Sequence, residues 1–166
     1  MIGEIQALFA RYRQKGILVD TNILLLYFVG NVNRERISRF NRTEKFLPED
    51  FDLLLQILEY FQTRVTTPNI LTEVNSLVNQ LGEPERSQCY GVFAQHLEVL
   101  DEFYIASSEL VRSEKFAKFG LTDSSILQLA QNRYLVLTDD LRLASYLQNK
   151  QIDVINFNNI RTFGWN

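Results

Sequence analysis

Cysteine and histidine are almost missing from this chain of 166 residues, which carries only Cys89 and His96. A lone cysteine closes no internal disulfide, and one residue of each kind supplies no zinc-type ligand spacing. No Cys/His or Ser/His arrangement of a covalent hydrolase stands out, and the reducing cytoplasm is the expected compartment. With 3 prolines and 7 glycines the sequence has no linker tract, no low-complexity segment and no internal repeat, so a single domain over 1–166 is expected. No apolar run approaches the roughly 20 residues that span a bilayer, and residues 1–15 lack the apolar core of a signal peptide. Neither secretion nor membrane insertion is expected. A basic excess is also missing: 17 basic residues face 20 acidic ones, a formal charge of −3. That balance argues against a general nucleic-acid coat protein, but not against carboxylates that hold metal ions.

What is present is the patterning of a globular domain, 46% apolar and 22% charged. Three short apolar runs read as buried strands, at residues 16–20, 134–138 and 152–157. The first two are continuous rather than alternating, as suits a parallel sheet covered on both faces. A fourth strand is expected over 64–68, stopped by Pro68, and a fifth near 103–106. Phe51, Leu54, Leu55 and Leu58 have helical spacing within 48–61. Ile70, Val74, Leu77, Val78 and Leu81 form a second stripe that ends at Gly82. Further helices are expected over 122–132 and 140–148. Strands alternating with helices predict an α/β fold, with a mostly parallel sheet of four or five strands flanked by helices. In such folds the ligand site lies outside the carboxyl ends of the strands.

Acidic residues fall at those places. Asp20 follows Ile17, Leu18 and Val19, and Asp139 and Asp140 follow the run that ends in Thr138. Asp123 precedes Ile126, Leu127 and Ala130 by helical spacings and so shares their inward face. Glu73 lies on the shoulder of its helix's apolar stripe. Carboxylates brought together repel and resist ionisation unless a cation neutralises them. Oxygen-rich sites suit Mg²⁺ or Mn²⁺, and two such ions roughly 3.5–4 Å apart can support phosphodiester displacement by water. Each acid also has an ordinary explanation. Asp20, Asp123 and Asp140 stand at helix starts, where Asp is favoured as a cap, and Glu73 alone reads as a solvated helix residue. Their joint occurrence at strand ends favours a shared site.

In this order, Val19-Asp20-Thr21-Asn22, Leu71-Thr72-Glu73-Val74, Leu121-Thr122-Asp123-Ser124 and Leu137-Thr138-Asp139-Asp140 resemble the motifs of PIN domains, over residues 16–157. The resemblance implies a metal-dependent nuclease acting mostly on RNA. Asp20, Glu73, Asp123 and Asp140 would be its acidic quartet. Asp20, Asp123 and Asp140 would hold a catalytic Mg²⁺ or Mn²⁺, with Glu73 completing the site or a second ion. Thr138 would orient the last Asp, and Asn22 would fix the first loop. The family's Thr-x-Asp pattern selects Asp140 over Asp139. Spacing leaves the choice open, since Asp139 stands to Leu143 and Tyr146 as Asp140 stands to Ala144 and Leu147. Many bacterial members are toxins of toxin–antitoxin pairs, so RNA and an antitoxin are the implied partners. The activity expected is an endoribonuclease leaving 5′-phosphate and 3′-hydroxyl ends. The alternative is a PIN-like module that binds a protein and cleaves nothing. A phospho-acceptor scheme ranks last, because Asn22 stands where a phosphatase needs its second Asp.

Residues 31–50 form a longer segment than compact members of that family carry. Within 33–45, Arg34, Arg36, Arg39, Arg42 and Lys45 face only Glu35 and Glu44, and Phe40 accompanies them. Arginines beside an aromatic ring suit phosphate contact and base stacking, and a mobile solvated loop is the alternative. Lys115 and Lys118, shortly before Asp123, are second candidates for phosphate contact. His96, among Phe93, Leu97 and Leu100, reads as a structural residue. Trp165 is either a surface anchor or an oligomer contact, which leaves a homodimer open.

Overall fold

Five short strands pair into one wholly parallel sheet in the order β3-β2-β1-β4-β5. They are β1 (Ile17–Val19), β2 (Arg64–Thr66), β3 (Asp101–Glu102), β4 (Leu135–Thr138) and β5 (Val154–Asn156). This computed structural model describes residues 2–162, so Trp165 lies outside the described residues. β1, β4 and β5 are buried along their length, and β1 and β4 are so as continuous apolar runs covered on both faces. The edge strand differs from expectation, lying upstream of 103–106. Its register is set by its partner, Val65 against Asp101 and Thr66 against Glu102. β2 turns into a helix at Pro68, so after the Phe103 N–H reaches the Thr66 carbonyl at 3.0 Å the chain has nothing further to pair with.

Helices cover the sheet: α1 (Ile2–Tyr12), α2 (Thr21–Val32), α3 (Pro48–Tyr60), α4 (Pro68–Val78), α5 (Glu85–Leu97), α6 (Ser107–Leu110), α7 (Phe116–Ala130), α8 (Leu141–Asn149) and α9 (Phe157–Arg161). α2 is apolar all round and buried from Ile23 to Gly30, which makes it the central helix, packed by α3, α4 and α5. α7 is broken at Gly120 (φ 74°, ψ −170°), a backbone region that favours glycine. The helix expected over 122–132 is its second half. The buried apolar residues form one cluster that runs through β1, β4, β5 and α2. Among the described residues no helix is long and apolar enough to cross a membrane.

The 31–50 segment is folded rather than loose. A 3₁₀ helix (Arg34–Arg39) and the turns after it bury Ile37, Phe40, Thr43 and Phe46. Thr43 Oγ1 donates to the Ile37 carbonyl at 2.8 Å, and the Phe46 ring meets Phe157 edge-on at 6.0 Å. The mobile-loop alternative fails, and so does stacking by Phe40, which is only 4% exposed.

Candidate metal centre

The strand order reverses direction between β1 and β4, and in such sheets the crevice at the carboxyl ends lies at that point. Register pairs Val19 with Leu137, so Asp20 and Thr138 come next to one another. The Asp20 N–H continues the ladder to the Leu137 carbonyl at 2.9 Å. Thr138 Oγ1 donates to Asp20 Oδ2 at 2.5 Å, and the Thr21 N–H donates to Oδ1 at 2.7 Å. The Thr138 hydroxyl also accepts the Asp140 N–H at 3.0 Å. Thr138 therefore fixes Asp140 through its backbone and Asp20 through its carboxylate.

The two neighbouring acids after β4 are treated differently. Asp140 is exposed, and its Oδ1 caps α8 by accepting the Arg142 and Leu143 N–H groups at 2.7 and 3.1 Å. Asp139 is buried and turned toward the folded basic segment. Its carboxylate takes Asn22 Nδ2 at 3.2 Å and an ion pair from Lys45. Asn22 thus serves Asp139 across the crevice.

Glu73 is exposed on α4, yet both of its oxygens are held. Thr21 Oγ1 donates to Oε2 at 2.9 Å and Thr122 Oγ1 to Oε1 at 2.6 Å. Thr122 is positioned in turn by Ser125, whose hydroxyl donates to the Thr122 carbonyl at 2.6 Å and lies 3.0 Å from Thr67 Oγ1, the cap of α4. Local sequence pattern marks no role for Thr21, Thr122, Ser125 or Thr67. The signal available was adjacency, since Thr21 follows Asp20 and Thr122 precedes Asp123.

Asp123 sits in the first turn after the Gly120 break, half-buried, and no hydrogen bond reaches its carboxylate among the described residues. It caps nothing, so the ordinary explanation fails for it. Burial, then the charges of Asp20, Asp140 and Glu73, push its carboxyl up to about 7, against a smaller opposing pull from Arg142. Burial likewise raises Asp20 to about 6; the bonds from Thr138 and Thr21 oppose the rise, and the charges of Asp139 and Asp140 add to it. Asp123 thus feels the charges of Asp20, Asp140 and Glu73, and Asp20 those of Asp139 and Asp140.

The donor set consists of carboxylate oxygens without imidazole or thiolate, which in kind suits a hard divalent cation. Among the described residues no three His, Cys, Asp or Glu side chains stand close enough together to hold a metal ion as they are placed.

Of the candidate phosphate-contact residues, Lys45 alone is ion-paired to an acid at the end of β4, Asp139, among the described residues. Arg34 pairs with Asp52 at 2.5 Å, and Arg42 Nε donates to Gln80 at 2.8 Å. Arg36 is half-buried with an unpartnered Nε, and Arg39 is exposed. Lys115 and Lys118 are exposed before the Gly120 break. His96 is structural, with Nδ1 2.8 Å from the Val92 carbonyl and its ring against Tyr27 at 4.9 Å. Compared with known proteins, the sequence matches no family model and no curated protein.

Proposed function

We propose that this chain is a PIN-type endoribonuclease dependent on Mg²⁺ or Mn²⁺. The observation that carries the reading is Asp123: a half-buried carboxylate with no hydrogen-bond donor, raised to about 7 by burial and by three other acids. Burial first and the neighbouring acids second disfavour its charged form, and a bound cation would relieve both. Asp20, Asp123 and Asp140 are the residues that hold the ion, and Glu73 completes the site. A bound divalent ion supplies the activation of water and the neutralisation of charge at the phosphodiester.

The chain's own residues do the rest. Thr138 and the Thr21 N–H aim Asp20 into the crevice, and the Thr21 and Thr122 hydroxyls fix Glu73. Lys45 and Asn22 engage Asp139 and so leave Asp140 as the ligand from that pair. Arg34, Arg36, Arg39 and Arg42 stand on the segment that carries Lys45 and contact the RNA backbone. An antitoxin would be the matching protein partner. The single thiol, Cys89, suits a cytoplasmic protein.

The test is cleavage of structured and unstructured RNA with Mn²⁺, with EDTA, and with Asp20→Asn and Asp123→Asn. Cleavage is expected only with the metal, and each substitution should lower it by more than about 100-fold, beyond the loss typical of residues that merely support a ligand. Wild-type cleavage by the double variant would sink the mechanism. An intact fold that binds no Mn²⁺ by calorimetry would favour a protein-binding module.

A further inference from the structure

A groove of about 430 Å³ opens beside Glu73, which with Thr122 is part of its wall. Tyr104, Leu121, Ile105 and Asn69 line it too. Tyr104 is 78% exposed, the most exposed large apolar side chain described, and Leu121 is 38% exposed. Neither hydrogen bond nor aromatic contact engages Tyr104 among the described residues. Its position is nonetheless fixed by the residue before it. The Phe103 N–H is bonded to the Thr66 carbonyl, and the Phe103 ring lies 5.9 Å from Tyr134 with Arg133 above it. With Phe103 so anchored, the Tyr104 side chain that follows it lines the groove. Asn69, at the start of α4, is half-buried in the same wall with no hydrogen bond among the described residues, which leaves an amide donor and acceptor free.

We propose that this groove is a nucleobase subsite, in which the Tyr104 ring stacks on an unpaired base next to the nucleotide whose phosphate lies at the acids. The inference rests on the nuclease reading for its occupant. A groove that shares Glu73 and Thr122 with the reaction site is filled by whatever adjoins the reacting phosphate. A flat exposed ring, an apolar neighbour in Leu121 and a free amide suit a base, with its π face and polar edge. The only charge in the groove wall is Glu73, so the subsite takes the base and leaves the phosphates to the metal and the arginines. Paired RNA offers no free face to the ring, so the proposed substrate is single-stranded at the cut.

The test is fluorescence anisotropy of a labelled single-stranded RNA of about ten nucleotides, within the usual range of such sites. The protein is the full chain carrying Asp20→Asn to block turnover, alone and with Tyr104→Ala or Tyr104→Phe. Stacking on one ring predicts that Ala raises Kd about tenfold while Phe stays within about twofold, and that neither changes binding of a fully paired hairpin. In the cleaving chain, Tyr104→Ala should raise KM for single-stranded RNA more than it lowers kcat. Unchanged binding by Ala, equal losses for Ala and Phe, equal losses on paired RNA, or no RNA binding at all overturns the subsite. Should the Ala/Phe pattern hold without any metal-dependent cleavage, the nuclease reading fails and the subsite stands. Should Asp20→Asn abolish cleavage while Tyr104→Ala leaves KM and Kd unmoved, the reverse is true.

Discussion

One hydroxyl serves two carboxylate-bearing residues: Thr138 donates to the Asp20 side chain and accepts the Asp140 N–H. Thr138→Val keeps the shape and removes both bonds, leaving a buried carboxylate short of a donor. The expected loss is about 1–3 kcal/mol in urea unfolding, with most of it restored in Thr138→Ser. Lys45 and Asp139 set a second residue-scale test. Their side chains are 50% and 2% exposed, so the pair is neither a surface bridge nor a buried one. Lys45→Met should cost about 1–2 kcal/mol, between those limits, and Asp139→Asn in the same chain should recover part of it in a double-mutant cycle. Additive losses would show that the pair is not coupled. That contact also explains why helical spacing left Asp139 and Asp140 equivalent. The distinction comes from a lysine on a distant segment, which no local pattern contains. Asp20 and Asp123 were legible because strand ends and helix faces are local properties. The threonines that hold Glu73 were not, because their partner comes from another element.

Between elements, α2 and α3 approach so closely that Gly30 admits no side chain. A Cβ there would lie 2.3 Å from the Phe51 ring, which is itself 4% exposed. Gly30→Ala is expected to destabilise by about 1–3 kcal/mol through overpacking, despite the better helix propensity of alanine. Adding Phe51→Leu should return part of that loss, and urea midpoints of the two variants measure it. Several elements could be read from pattern alone: apolar runs gave β1, β4 and β5, and helical stripes gave α3 and α4. β3 escaped because the end of β2 sets where an edge strand stops. The basic segment escaped for another reason. Its buried residues Ile37, Phe40, Thr43 and Phe46 recur every three positions, a period suited to 3₁₀ turns, and the surrounding charges draw attention away from it.

For the molecule as a whole, acidity and function are linked through pH. Without the four acids of the crevice the remaining charges nearly balance, 17 basic to 16 acidic, so the net negative charge is that of the proposed metal centre. Asp20 rises to about 6 and Asp123 to about 7, from an ordinary 3.8. In the unfolded chain both ionise near pH 4. Between about pH 4 and 7 the folded state therefore holds more protons than the unfolded one, and stability falls as pH rises through that window. For Asp20 alone the rise is worth on the order of 3 kcal/mol. In EDTA, the wild-type protein should lose stability from pH 5 to pH 8 relative to the Asp20→Asn/Asp123→Asn variant, whose side chains cannot titrate. Divalent ions act in the opposite sense, because the ligands must shed their protons to bind. Mn²⁺ should raise Tm at pH 8, do little at pH 5, and leave the double variant unmoved at both. Parallel Tm profiles for the two proteins in EDTA would mean that the four acids do not share one electrostatic site. A Tm rise with Mn²⁺ at pH 5 as large as at pH 8 would mean that the ion binds elsewhere.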